Sequence, residues 1–392
     1  MSLFDPKHEA MPRDRLEQLQ LERLQALLAR LRRKVRRHRE QISDVHVESL
    51  SDLGRLPVTE PEDLLTAFPY GLFALPLREV IRLHSAVGPN GMQLVIGHTR
   101  NDLAAWGRLV ARQLAAASVS DHDVIQISFE GGDFREAAGY ALGAEVIEAS
   151  VIAEDPRHIE YQLAMLQNYK ATVLVTTPTN AFELARLLEA RSIDPQSLHL
   201  LTVLLSRPVP PEDREALRTG LFAEIRCNFG VKAVLDPGLC VECTEGNLHV
   251  NEDRFLVEAR DGELLITTLC REAMPLLRYC TRIECEIGRE ACPCGRTGAI
   301  LRPGRRLDGQ LLVRETPLYA SQVQEALART RAAGHPFRLE LSEEHVRVLI
   351  PVTSELFSDT MRNLVDLKKE IEAELRSRLG TGAEVQFFSG RE

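Results

Sequence analysis

The chain has 392 residues, of which 44% are hydrophobic and 27% are charged, and its formal net charge is −9. This length accommodates two or three domains, and the composition is that of a soluble globular protein. The acidic balance argues against a general nucleic-acid binder, which carries a basic surface. No apolar run reaches the length of a membrane span, and the N-terminus lacks the pattern of a secretory signal. We therefore expect a cytoplasmic protein.

The first predicted element is an amphipathic helix over residues 12–41. Its leucines recur at helical spacing and form one apolar stripe, which comprises Leu16, Leu19, Leu24, Leu27, Leu28 and Leu31. A basic run follows at residues 32–39. Such a run could contact a membrane or RNA, but the solvated face of an amphipathic helix is the simpler interpretation.

Between residues 80 and 177, short apolar runs alternate with helical stretches. The strand candidates are 80–83, 93–97, 124–127, 145–147 and 172–175, and a further one follows at 201–205. A helix is predicted at 101–117, with Thr99 or Asn101 as its cap. This alternation predicts an α/β fold with at least partly parallel sheets.

Beyond residue 227 the pattern changes to strands and turns, and residues 302–306 are predicted to form a linker. The remaining predictions are a strand at 310–314, a helix from Ser321, strands at 337–341 and 346–350, a helix at 358–379 and a strand at 384–388. This β-α-β-β-α-β order is typical of a small two-layer α+β domain. We therefore predict two domains, 1–303 and 304–392.

Eight cysteines are clustered between residues 227 and 294. In a chain without a predicted secretory signal, they are expected to be thiols or metal ligands rather than disulfides. Cys270, Cys280 and Cys285 are expected to be small buried apolar residues. Two histidines, His84 and His98, could line a pocket, although a core or surface position is the simpler expectation.

Several stretches in order along the chain resemble the phenylacetate-CoA ligase family of adenylate-forming enzymes. They are FPYGLFA at 68–74, GHTRNDL at 97–103, GELLITTL at 262–269, PLLRY at 275–279, CPCGRT at 292–297 and SQV at 321–323. The resemblance implies a large multi-sheet N-terminal domain, a mobile small α+β domain and a nucleotide site between them. It also implies a two-step reaction. A carboxylate attacks ATP to give an acyl-adenylate and pyrophosphate, and the thiol of coenzyme A then displaces AMP.

The phosphate loop that the resemblance implies is altered in this chain. The family has Ser-Ser-Gly-Thr-Thr-Gly-Lys, whereas this chain reads Ser-Ala-Val-Gly-Pro-Asn-Gly-Met from Ser85. Ser85, Gly88 and Gly91 are the candidate nucleotide-binding positions, because glycine-rich turns let backbone N–H groups approach phosphate closely. Pro89 removes a backbone donor, and Met92 replaces the lysine. A plain turn between two strands is the competing interpretation.

Two acids of the nucleotide site are also replaced. The family motif Tyr-Gly-Leu-Ser-Glu carries an acid that helps to hold magnesium and nucleotide. Here Phe229 and Gly230 keep the start of the motif as candidate nucleotide-binding residues, but Lys232 and Ala233 end it. Lys232 could attract a phosphate, yet it is no metal ligand. The aspartate that the family offers to the ribose hydroxyls is Ile283 in this chain.

The stretch that begins at Gly304 resembles the hinge of the family, and Asp308 is its expected hinge acid and a further nucleotide-binding candidate. The small domain of the family ends with a lysine that neutralises the α-phosphate, and only Arg391 is available in that role here. These losses predict a catalytically impaired homologue that serves binding or regulation. The alternative is an active aryl- or acyl-CoA ligase that uses altered residues. Under either interpretation, the candidate ligands are ATP or AMP, coenzyme A and an aryl acid. The candidate partners are another protein or a second copy of the chain.

The resemblance implies a metal site as well, with Cys243, His249, Cys292 and Cys294 as ligands. A Cys-x5-His arm and a Cys-x-Cys arm can surround a zinc ion tetrahedrally with no open position, which describes a structural site. Cys240 forms a closer pair with Cys243 and is an alternative to His249. Thiols without a metal are the remaining interpretation.

Overall fold

The computed structural model describes residues 3–88, 91, 93–129, 134–152, 158–313, 316–341, 346–352, 361–379 and 383–389. The chain separates into two compact units. The larger comprises residues 1–86 and 94–305, and the smaller comprises residues 87–93 and 306–392. The division into domains 1–303 and 304–392 stays a prediction for proteolysis to test. Within the described ranges, no helix is both long and apolar enough to cross a membrane.

The larger unit begins with helices. They are α1 (Pro6–Glu9), α2 (Arg13–Lys34), α3 (Arg36–Gln41) and α4 (Pro61–Thr66), with 3-10 turns at Leu50–Arg55 and Leu77–Glu79. The single helix predicted over 12–41 is therefore divided, because Val35 has an extended backbone. The predicted leucine stripe is buried apart from Leu19, which is partly exposed.

The arginines of the basic run close the turn after α2. Arg32 donates to the carbonyl oxygen of Ile42, and Arg39 donates to that of Arg32, each at 3.0 Å. Arg37 pairs with Asp63 of α4 at 2.6 Å. The basic run thus contributes to the packing of these helices against one another.

A hairpin and a parallel sheet follow. The hairpin strands are β1 (Arg82–Val87) and β2 (Gln93–His98), and the sheet strands are β3 (Val124–Ser128), β4 (Ser150–Ile152), β5 (Val173–Thr176), β6 (Thr202–Leu205) and β7 (Glu224–Cys227). The helices are α5 (Arg100–Ala116), α6 (Phe134–Val146), α7 (Ile159–Tyr169), α8 (Pro178–Ala190) and α9 (Pro211–Leu221). The sheet has the spatial order β4-β3-β5-β6-β7 with parallel pairing throughout. This arrangement confirms the predicted α/β class.

One predicted strand is wrong. Residues 145–147 cover the end of α6, and the strand follows only at Ser150. The helix extends this far because it packs closely on α5. A Cβ at Gly143 would lie 2.5 Å from Cγ1 of Val110, so glycine permits the contact. At the start of α5, the Thr99 hydroxyl accepts the Asp102 N–H at 3.0 Å, which makes Thr99 the cap.

The second large sheet comprises β8 (Cys240–Glu242), β9 (Leu248–Val250), β10 (Phe255–Arg260), β11 (Glu263–Thr268), β12 (Tyr279–Gly288) and β13 (Ile300–Arg306), in the spatial order β10-β11-β12-β13-β9-β8. The linker predicted at 302–306 is wrong, because these residues form the second half of β13. Gly304 allows close pairing with β12, since a Cβ there would lie 2.9 Å from the Glu284 Cβ. Arg305 pairs with Glu284 at 2.8 Å.

The smaller unit contains β14 (Leu311–Val313), β15 (Thr316–Leu318), α10 (Ala320–Leu327), β16 (Arg338–Leu341), β17 (Val346–Val352), α11 (Met361–Leu379) and β18 (Ala383–Ser389). Strand β17 is antiparallel to β16 and parallel to β18. Helices and sheet share a core that includes Val323, Val348, Ile371 and Val385. The predicted α+β class is confirmed, and β15 is an additional strand that the sequence pattern did not indicate.

Candidate functional site

Four side chains with metal-binding atoms converge beside β8 and β9. Cys243 follows β8, His249 lies in β9, and Cys292 and Cys294 lie between β12 and β13. Their ligand atoms all lie within 4.8 Å of one another. The sulfurs of Cys243 and Cys292 are 3.8 Å apart, and the Cys294 sulfur is 3.3 Å from His249 Nε2. The four predicted ligands are thus together and could hold a metal ion.

The turns around the cluster place its ligands and supply hydrogen bonds to sulfur. Gly295, with φ +77°, follows Cys294 in a left-handed conformation that favours glycine. The backbone N–H of Arg296 donates to the Cys294 sulfur at 3.4 Å, and the Asn247 amide donates to the Cys292 sulfur at 3.4 Å. Such donors stabilise thiolate, which is the form that binds a metal.

His249 is oriented for ligation through one particular nitrogen. Its Nδ1 lies 2.9 Å from the carbonyl oxygen of Gly298, which can only accept, so Nδ1 carries the proton. The Nε2 lone pair then faces Cys294. Burial lowers the pKa of His249, which favours the neutral ring. Burial raises the pKa of Cys243 to about 12, so this thiol needs a nearby cation to ionise at neutral pH.

The alternative ligand Cys240 lies elsewhere. Its side chain is 1% exposed and belongs to the hydrophobic core of the larger unit. Burial raises its pKa far above the usual range of a thiol. The structure therefore groups His249, and not Cys240, with the other three ligands. Cys280 and Cys285 are buried as predicted, whereas Cys270 is partly exposed.

The candidate phosphate-loop residues lie in and after β1. Ser85 is exposed within β1, and Gly88 follows that strand. Gly91 has φ +76°, a conformation that favours glycine. Pro89 and Met92 lie outside the described residues.

The motif that begins at Phe229 folds around a carboxylate that sequence reasoning did not single out. Phe229 is buried, and a Cβ at Gly230 would lie 2.3 Å from Oδ1 of Asp236. The Asn228 amide donates to the same oxygen at 2.7 Å. Only glycine at position 230 permits this close approach. The signal for Asp236 was the Asp-Pro-Gly turn sequence, which predicts a turn but not its partners.

Lys232 and Ala233 at the end of that motif, and Ile283 farther along the chain, have no side-chain atom that binds a metal ion. Lys232 pairs with Glu136 of α6 at 3.2 Å, and the Glu136 side chain is only 5% exposed. Ala233 is 7% exposed and Ile283 is 5% exposed, and both belong to the hydrophobic core of the larger unit. Both positions where the resemblance implies an acid are therefore apolar and buried.

Asp308 of the smaller unit is firmly held as an anion. Arg306 donates to its two carboxylate oxygens at 3.0 and 2.7 Å, and the Tyr319 hydroxyl donates at 3.1 Å. Burial opposes the charge, but the bonds from Arg306 outweigh it and keep the pKa of Asp308 below its usual value. Burial also raises the pKa of Tyr319 to about 12. Arg391, the predicted stand-in for the lysine of the family, lies outside the described residues.

A cavity of about 50 Å³ in the larger unit is lined by residues that include His98, Trp106 and Arg271. His98 stacks on Trp106 with ring centroids 5.3 Å apart, and His84 meets His98 edge-on at 4.9 Å. Arg271 Nη2 lies 3.3 Å from His98 Nε2. His98 is therefore buried and also lines the cavity. The cavity has room for a few water molecules.

Comparison with known sequences shows that the chain is similar to several phenylacetate-coenzyme A ligases. No family model matches the chain. The chain is 34% identical over 346 residues to the phenylacetate-coenzyme A ligase of Thermus thermophilus, with 83% of this chain and 78% of the relative covered. It is 28% identical to the phenylacetate-coenzyme A ligase of Escherichia coli, with 93% and 88% covered.

Solved structures share the fold. A 2-hydroxyisobutyryl-CoA ligase in complex with 2-HIB-AMP and CoA aligns with a TM-score of 0.88 over 99% of this chain and 90% of that one, at 19% identity. An amide bond synthetase from Marinactinospora thermotolerans aligns with a TM-score of 0.59 over 80% and 66%, at 14% identity. At these identities the likeness concerns the architecture alone.

Proposed function

The chain belongs to the phenylacetate-CoA ligase family of adenylate-forming enzymes, and from that premise we propose that it has kept the ligase fold but lost efficient adenylation. In this proposal the protein is a binding or regulatory homologue. One observation carries it: Ala233 and Ile283 are apolar residues buried in the hydrophobic core. They occupy the positions where the family resemblance implies a magnesium acid and a ribose acid.

The chemistry explains why these two losses matter together. Adenylation concentrates negative charge at the α-phosphate, and a magnesium ion and cations must neutralise it. Each missing group typically costs about 3 kcal/mol of transition-state stabilisation, or roughly a hundredfold in rate. Lys232 does not compensate, since it pairs with the buried Glu136 at 3.2 Å.

The test is pyrophosphate release from ATP with phenylacetate and related aryl acids. We expect a rate at background, while an active phenylacetate-CoA ligase assayed in parallel turns over normally. Mass spectrometry of the reaction detects any acyl-adenylate. Clear turnover of the unmodified chain, with acyl-adenylate present, would refute the proposal.

An active aryl- or acyl-CoA ligase is the second candidate. It is favoured by Asp308, the hinge acid that the resemblance implies, which this chain keeps in its charged form. Thermal shift with ATP, AMP and coenzyme A separates the candidates further, because a ligand that binds only the native state raises its stability. A binding homologue is stabilised by at least one ligand without turnover. An aryl acid is a further candidate ligand, and another protein or a second copy of the chain is a candidate partner. In this proposal the protein acts in the cytoplasm.

The proposal includes a structural zinc ion held by Cys243, His249, Cys292 and Cys294. Three sulfurs and one imidazole nitrogen within 4.8 Å of one another match the ligand preference of zinc. Four protein ligands leave no open position for a substrate. Elemental analysis should give about one zinc ion per chain.

A further inference from the structure

The segment of residues 5–11, called here the α1 segment, is fixed by polar contacts to the loop that carries two metal ligands. Glu9 Oε2 accepts the Arg296 Nε hydrogen at 2.9 Å, and both side chains are only 3% exposed. The other oxygen of Glu9 accepts the Asp5 N–H at 2.7 Å. A carboxylate this deeply buried is stable only when such partners surround it. The position of Glu9 therefore depends on Arg296.

The residue after Arg296 attaches the same segment through the backbone. The Thr297 N–H donates to the Glu9 carbonyl oxygen at 3.0 Å, and the Thr297 hydroxyl donates to the Met11 carbonyl oxygen at 2.6 Å. Main-chain and side-chain contacts thus fix residues 9–11 against one short stretch of loop.

That stretch of loop is bonded to the metal ligands on its other side. The Arg296 N–H donates to the Cys294 sulfur at 3.4 Å, and the Gly298 carbonyl oxygen accepts from His249 Nδ1 at 2.9 Å. Residues 296–298 therefore contact two of the four ligands directly. A shift of the ligands on metal loss would move the residues that hold Glu9.

A second attachment of the α1 segment is independent of the loop. Asp5 Oδ2 accepts from Arg112 of α5 at 2.9 Å, and Arg112 also donates to Asp253 at 2.7 Å. Arg112 is buried, and its pKa is raised, despite burial, by its bonds to Asp253 and Asp5. The segment thus has one attachment, at Asp5, that does not involve the loop and one, at Glu9, that does.

We propose that the metal centre acts as a clamp for the α1 segment, and this inference rests on the proposed zinc ion. With the metal bound, the loop holds Arg296 and Thr297 against Glu9. Without it, the loop relaxes, Glu9 loses its buried partner, and residues 9–11 detach while Asp5 stays on Arg112. Loss of the metal thereby exposes residues 9–11 to solvent.

Hydrogen exchange of the full chain, measured by mass spectrometry with and without a strong chelator, tests the clamp. Removal of the metal should raise the exchange of residues 8–13 at least tenfold, while β5 and β6 stay protected. Metal content is measured on the same samples. Unchanged exchange after complete metal removal overturns the clamp. Loss of protection throughout the chain also overturns it, since the release would then be global unfolding.

A variant separates the clamp from the zinc centre itself. Glu9→Gln should keep about one zinc ion per chain, because Glu9 is no metal ligand. Even without chelator, its residues 8–13 should exchange faster than those of the wild-type chain. The matched control is Glu17→Gln, which removes an exposed ion pair with Arg13 on α2 and should change neither quantity. A Glu9→Gln protein with normal exchange refutes the clamp alone. A wild-type chain that binds no added zinc refutes the zinc centre and the clamp together.

Discussion

Two regions of the larger unit differ in whether they keep the polar residues that the family resemblance implies. Around Cys243 and His249, four ligand atoms converge and backbone and side-chain donors point at sulfur. Around Gly230, the acid positions are the apolar Ala233 and Ile283, packed in the core. Among the described residues, the candidate metal ligands thus lie together, whereas the two positions where the resemblance implies an acid are apolar. If the proposed function holds, this fold has kept its metal-binding residues separately from its reactive ones.

The largest expected effect on stability comes from replacing one of the four candidate metal ligands. Cys292→Ser should release the metal, and the free energy of unfolding should fall by roughly 5 kcal/mol, because metal binding contributes directly to folding. Elemental analysis and urea unfolding measure the two changes. Cys270→Ser, at a partly exposed cysteine outside the cluster, should keep the metal. Full stability of both variants in a strong chelator would refute the structural role of the site.

The second prediction reverses the loss in the other region. Ala233→Glu combined with Ile283→Asp should restore part of the AMP affinity, seen as a new thermal shift with AMP. The same change should lower the free energy of unfolding by roughly 3 kcal/mol, because both positions are buried among apolar residues. The control is Ala233→Gln with Ile283→Asn, which adds similar bulk without charge and should bind no AMP. An AMP response equal in both double variants would contradict the assignment of these positions.

A smaller effect is expected at Lys232. Lys232→Met removes the partner of the buried Glu136, so the free energy of unfolding should fall by about 2 kcal/mol, a value reduced by the partial exposure of the lysine. Adding Glu136→Gln should recover much of this loss, which a double-mutant cycle measures. Affinity for nucleotides should not change. Weakened ATP or AMP binding in Lys232→Met would assign the lysine to phosphate after all.

The smallest effect concerns the pH dependence of Asp308. Its pKa lies below the unfolded value because the bonds from Arg306 outweigh burial. Its stabilising contribution is therefore complete above about pH 5 and is lost as pH falls through the lowered native pKa. Asp308→Asn should therefore cost less than about 1 kcal/mol at neutral pH, and this difference should shrink between roughly pH 5 and 3. Urea unfolding at several pH values measures it. A difference independent of pH would exclude the charge as the cause.

The sequence predicted what depends on local pattern. Alternating apolar runs and helices predicted the parallel sheet. Cysteine spacing together with the family resemblance predicted four candidate ligands, which the structure brings together. It left Cys240 and His249 as alternatives, because spacing alone does not say which way a side chain points. In the structure Cys240 of β8 lies in the hydrophobic core, whereas His249 lies with the other three candidate ligands.

The errors arose where distant parts of the chain determine local structure. Residues 145–147 are rich in strand-forming side chains, yet close packing on α5 keeps the first two in a helix. Residues 302–306 have the composition of a linker, yet Gly304 pairs closely with Glu284. The ion pairs of Glu9 with Arg296 and of Lys232 with Glu136 had no sequence signal, because their partners are far apart in the chain.

The parallel pairing of β17 with β18 has a consequence for biosynthesis. Val348 of the central strand lies opposite Val385, and the two strands are joined through α11. The ribosome must therefore complete α11 and β18 before the sheet of the smaller unit can close. A message cut short after α11 would yield a nascent chain whose β17 exposes an open edge, and open edges invite aggregation. Such truncated products should be substrates of chaperones and proteases rather than folded proteins.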